Sequence, residues 1–269
     1  PSAHLKYAVD DKNEFGLSYS RRISRARAGQ LNPFTNYADP FNLRRGNPYL
    51  QPEYIHSFDL AYLYESKKFS ISTSIYYRRS KGVISRIKEF YDNNTSAVTY
   101  QNLNNTNALG TEWVFMFKPY SFWRTTASFN GNMVEYFTDI QGLSNTNGFY
   151  LKAKINTTFE FWKKTGSLQV SYGYNGPRIT VQGVVQRIGT LDMAFEKKFL
   201  DGDLSLGIRV SDLLNQQAFY MDLTRENINQ QAYYKWMSRR VFVTARYKFG
   251  KVEVKNSNSQ GLSGSGSAD

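Results

Sequence analysis

With 269 residues and no cysteine, the chain cannot be a disulfide scaffold and has no thiolate chemistry. A net charge of +12 would suit nucleic acid, but the basic residues recur singly along the chain instead of clustering, so no nucleic-acid partner is expected. No apolar run approaches the ~20 residues of a membrane-spanning helix, which excludes a helical membrane protein but not one that crosses with strands.

Taken in chain order, Pro1 to Leu5 read as the start of a strand, as though the segment opens in mid-fold. Alternation of apolar and polar residues, the signature of a strand with one oily face, predicts strands near 3–9, 14–24, 54–64 and 69–86. In the fourth of these, Phe69, Ile71, Thr73, Ile75 and Tyr77 oppose Ser70, Ser72, Ser74, Tyr76 and Arg78. Further strands are expected near 109–118, 122–137 and 149–162. In the last, Leu151, Ala153, Ile155, Thr157, Phe159 and Phe161 alternate with Lys152, Lys154, Asn156, Thr158 and Glu160. The pattern continues near 167–175, 185–199, 203–212 and 238–249, making about eleven strands.

The connections alternate in length. Short ones fall at 10–13, 65–68, 118–121, 163–166 and 200–202, and long ones at 25–53, 87–108, 138–148, 176–184 and 213–237. Outer-membrane barrels have short periplasmic turns and longer extracellular loops, whereas an open sandwich has no reason to alternate so strictly. Many of the strands are about 10 residues long, which suits a tilted crossing of the hydrocarbon. The fold expected is therefore all-β, an antiparallel transmembrane β-barrel. The aromatic content of 16% fits girdles at two membrane interfaces. Single-chain bacterial barrels have even strand numbers, so an odd count implies either a further strand not marked by alternation or strands supplied by another segment.

The segment Gly46-Asn47-Pro48-Tyr49-Leu50-Gln51-Pro52-Glu53 leads into the third strand. It resembles the Gly-Asn-Pro-x-Leu-x-Pro-Glu signature in the barrels of TonB-dependent receptors. Leu17 to Arg25 and Leu31-Asn32-Pro33-Phe34 are similar to the same family. The resemblance implies the C-terminal half of a barrel of about 22 strands, with a plug in the lumen. Residues 1–250 would be this barrel portion, and 251–269, rich in Gly and Ser, a flexible tail. The implied activity is TonB-dependent uptake across the outer membrane. The implied partners are outer-membrane lipid and lipopolysaccharide, an N-terminal plug with the remaining strands, TonB and a surface lipoprotein. Two other readings stay open: an accessory outer-membrane barrel without import, and an outer-membrane enzyme.

No catalytic constellation supports the enzyme. His4 and His56, the only histidines, lie far apart and outside any motif. No zinc spacing occurs, and no metal site or cofactor is expected. Asp10-Asp11 and Asp201-Gly202-Asp203 read as turns, with calcium as the alternative. Ligand recognition is expected on the long loops, where aromatic planes and Arg forks suit sugars, peptides or anionic chelates. The candidates are Arg44, Arg45 and Tyr49 in one loop and Tyr220, Arg225, Tyr233, Tyr234 and Trp236 in another.

Overall fold

The computed structural model describes residues 1–91, 95–225 and 228–249. The expected tail at 251–269 and the side chain of Arg225 lie outside the described residues. In chain order the strands begin with β1 (Ser2–Asp10), β2 (Asn13–Ser24), β3 (Asn42–Arg44), β4 (Glu53–Glu65), β5 (Phe69–Phe90) and β6 (Ser96–Tyr120). They continue with β7 (Trp123–Phe137), β8 (Thr146–Phe161), β9 (Gly166–Asn175), β10 (Arg178–Thr180), β11 (Gly183–Val185) and β12 (Ile188–Phe199). The last are β13 (Leu204–Ser211), β14 (Ala218–Arg225), β15 (Ile228–Lys235) and β16 (Arg240–Tyr247). One short helix, α1, covers Ala28–Leu31.

The wall is an antiparallel path β1-β2-β4-β5-β6-β7-β8-β9-β12-β13-β16, and these are the eleven strands that alternation predicts. Register carries that alternation across the sheet. Leu5, Leu17, Leu60 and Ile75 face one another in turn, as do Phe159, Leu168, Phe195, Ile208 and Val243. A one-residue slip would send each of these side chains to the other face, so the pattern pins the pairing. The other face is polar: Asn130 donates to Glu112 at 2.9 Å, and Arg209 lies 3.5 Å from Asp192. Apolar side chains such as Leu5 at 67% and Ile75 at 57% exposure stand on an uncovered face, the arrangement of a sheet whose oily face meets lipid.

The short turns form one rim. Asp10 accepts from the backbone N–H of Lys12 and Asn13 at 2.7 and 2.9 Å, so its carboxylate is occupied as a turn device. Trp162, Lys163 and Lys164 take left-handed φ of 52°, 52° and 68° in the turn from β8 to β9. Rings gather here: Trp123 stacks on Phe159 at 5.7 Å, Tyr120 on Phe122 at 5.3 Å, Phe161 on Phe195 at 5.9 Å. Such pairs contribute about 0.5–1.5 kcal/mol each beyond their area.

The opposite rim departs from expectation. The connection at 87–108 is mostly strand, because β5 and β6 run on beyond the wall. β4 pairs with β5 only as far as Lys81. From Phe69 to Lys81 the strand already exceeds the ~9–11 residues of a crossing, so the part beyond Gly82 stands clear of the membrane. The connections at 25–53, 176–184 and 213–237 also hold strands: β3 pairs parallel to β6, and β10, β11, β14 and β15 form a separate four-stranded sheet. Outside the membrane neither face needs an oily row, and runs such as Asn102-Leu103-Asn104-Asn105-Thr106-Asn107 lose the period-two signal while keeping their ladder.

The Gly-Asn-Pro segment is a clamp at this rim. Gly46 and Asn47 donate to the Asn32 and Gln30 carbonyls, both at 2.7 Å. A Cβ on Gly46 would lie 2.5 Å from the Gln30 oxygen, so only glycine fits. Asn47 reaches the Tyr100 carbonyl, Gln51 and Asn102 pair by backbone and amide, and Glu53 accepts from Ile84 N–H at 2.6 Å.

Candidate ligand-binding cavity

Two features roof the extension of β5 and β6. The turn between β10 and β11 docks through Gln182, whose amide meets the backbone N–H and carbonyl of Lys88 at 2.7 and 2.9 Å. Next to it Val181 joins Ile87 and Leu103 in a small buried core, packed against Val83, Tyr136, Ile140 and Leu143. Asp212 anchors the other end of the roof. Its carboxylate accepts from the N–H groups of Gln216 and Gln217, both at 3.0 Å, and from the Ser238 hydroxyl. Burial would raise its pKa, but the Ser238, Gln217 and Gln216 hydrogen bonds outweigh burial and hold it below the ordinary aspartate value.

Between roof and extension lies a cavity of about 630 Å3, within the size range of small-molecule sites. Its cations are Arg44 from β3, Arg86 and Lys88 from β5, and Arg178 from β10. Its apolar wall comes from Phe219, Met221 and Leu223 on β14 with Tyr234 on β15; the Phe219 and Tyr234 rings are 6.1 Å apart. No described Asp or Glu lines it. The three ion pairs among the described residues, Lys6–Glu14, Arg45–Glu89 and Arg209–Asp192, leave all four cations without a described carboxylate within 4.0 Å. Lys88 donates to the Asn42 amide oxygen at 3.1 Å. Its pKa is lowered by burial first and by Arg86 second, with Asp39 opposing.

The loop residues predicted as binders are distributed unevenly. Arg44 and Tyr234 come together in this cavity. Arg45 lines an adjoining pocket with Arg44 and Arg86, tied to Glu89 at 3.1 Å. Tyr49, 83% exposed, borders a separate cleft with Arg45. Tyr220 and Tyr233 face each other, 6.3 Å apart, on the opposite side of the β14–β15 hairpin. Trp236 is exposed and does not line the cavity. Sequence reasoning missed Arg86, Lys88 and Arg178. The available signal was alternation carried past residue 86, with Arg86 and Lys88 flanking the apolar Ile87. His56 lies 2.9 Å from the Tyr19 hydroxyl, with no nucleophile or acid beside it in that contact.

An antiparallel wall with one oily face, an aromatic short-turn rim and structured loops at the far end defines the wall of a transmembrane β-barrel. Residues 1–247 match the family described as "outer membrane protein beta-barrel family", and the chain belongs to that family and to the Gram-negative outer membrane. No curated protein matches it in sequence. Among solved structures it is similar to the ferric yersiniabactin uptake receptor of Yersinia pestis: 13% identity, TM-score 0.63, covering 93% of this chain and 37% of that one. It is also similar to the copper transporter OprC (12%, TM-score 0.64, 92% and 39%). The ferripyoverdine receptor of the Pseudomonas aeruginosa outer membrane gives 13%, TM-score 0.61, 93% and 33%. The chain thus spans between 33% and 39% of these receptors' lengths, and the likeness is one of fold.

Proposed function

We propose that this chain is the C-terminal half of the barrel of a TonB-dependent receptor that takes up an anionic substrate, with no catalytic step. One observation carries this reading: among the described residues, the extracellular-side cavity holds four cations with no ion-pair partner, an aromatic wall and no carboxylate. Cations held in a partly dry pocket favour an anion over a neutral ligand, and Arg forks match carboxylate geometry. The similar structures are named for uptake of ferric chelates and copper, which supports transport as the activity of the fold. Among the described residues no strand pairs with the outer edges of β1 and β16, which supports further strands from the same protein, because an open edge in hydrocarbon costs several kcal/mol per backbone group. A plug and TonB coupling would then drive release into the periplasm.

The test is equilibrium binding and uptake with the intact outer-membrane protein, using an anionic ferric hydroxycarboxylate chelate and a neutral oligosaccharide. The chelate should bind and enter, and the oligosaccharide should not. Replacing Arg86 and Arg178 by Ala together should weaken chelate binding at least tenfold with surface level unchanged, about the loss of one to two charge-assisted hydrogen bonds. A protonophore should abolish uptake but not binding. Unchanged binding in the double variant would favour the accessory-barrel reading instead.

A further inference from the structure

On the lipid side of the short-turn rim, one cation stands where the wall is otherwise apolar. Lys197 shares its face of β12 with Phe195 and Phe199 and lies opposite Leu206 of β13. Its ammonium sits 4.3 Å from the Trp162 ring centroid and donates to the Thr165 hydroxyl at 2.8 Å. No described carboxylate lies within 4.0 Å of it: Glu160 and Glu196 alternate onto the polar face, and Asp201 and Asp203 in the next turn form no ion pair with it. Lys163 lines the same open pocket, together with Trp162, Thr165 and Lys197. Directly adjoining are the stacked rings of Phe161 and Phe195, to which Trp162 is edge-on at 4.7 and 6.2 Å.

We propose that Lys197, Lys163, Thr165 and Trp162 form a binding site for the phosphodiester of an anionic glycerophospholipid in the periplasmic leaflet. The two ammonium groups supply the charge, and the indole orients Lys197 through a cation–π contact; the Thr165 hydroxyl, which accepts from Lys197 and donates to the Trp162 carbonyl at 2.7 Å, holds that ammonium in place. The acyl chains run along Phe161, Phe195 and Leu206. Continuity with the oily face is what selects a lipid: a free anion would gain the charges but leave that surface uncovered. Depth agrees, since a lysine on the lipid face is tolerated where its head reaches the headgroup layer, and the short turns of such barrels are periplasmic. The site rests on the orientation of the wall and not on substrate uptake.

Native mass spectrometry of the intact protein, released from outer membranes into detergent, tests this. Dioleoylphosphatidylglycerol should be retained in preference to dioleoylphosphatidylcholine. The variant Lys197→Gln should lose about fivefold of that preference, the effect of one surface cation on anionic lipid. Lys197→Arg should keep it, and chelate uptake should be the same in all three, so failure here is separable from failure of the uptake reading. Heat-modifiable electrophoretic mobility confirms that each variant is a folded barrel. Equal retention of the two lipids, an unaltered preference in Lys197→Gln, or displacement by millimolar inorganic phosphate would each overturn the proposal.

Discussion

Lys88 shows how a residue can be made ready for an anion. Its backbone is held by Gln182 and its ammonium by Asn42, so little rotamer entropy is left to lose on binding. Burial and Arg86 disfavour its charged form, so its pKa in the folded protein lies below the ordinary lysine value. The unfolded chain therefore binds more protons in the window between the two values, and this group's contribution to stability rises with pH there. An anion restores the charged form. Chelate affinity should fall as pH rises through that lowered value, earlier than an ordinary lysine would allow, whereas Lys88→Arg should give a flat profile. Titrating affinity from neutral to alkaline pH distinguishes them; identical profiles would separate Lys88 from the ligand.

At the scale of elements, the loops are parts of a frame. Gly46 passes α1 too closely for a side chain, and the same segment carries Arg44 and Arg45 into their pockets. Substituting Gly46→Ala should shift the backbone of 44–47 and weaken chelate binding several-fold although every cation is retained. Limited proteolysis should cut within 25–53 faster than in the parent, and unchanged cleavage with unchanged affinity would argue against the clamp. The motif that suggests a receptor in the sequence thus has a physical role: it ties the longest loop to β5 and β6. Its residues were legible as a pattern, but their bonds to Tyr100, Asn102 and Ile84 were not. Those partners lie about 30 to 50 positions away in the chain.

For the whole molecule, the decisive quantity is which face meets lipid. Ile155 sits within the oily row of β8 and its neighbour Lys154 on the polar face. Ile155→Arg should destabilise the barrel by about 2–4 kcal/mol, the cost of a cation on the lipid face near mid-depth, while Lys154→Ala should change stability little. Urea-induced unfolding in lipid vesicles measures both, and equal effects would contradict the assignment of faces. The eleven wall strands, their order of short and long connections and the identity of the oily face were set locally, because alternation is a property of neighbouring residues and the bilayer rewards it along each crossing. The second sheet, the continuation of β5 and β6 and the meeting of Arg44, Arg86, Lys88 and Arg178 were decided only by tertiary structure. Outside the membrane no oily row marks the strands, and a pocket assembled from four separate segments leaves no spacing in the chain to read.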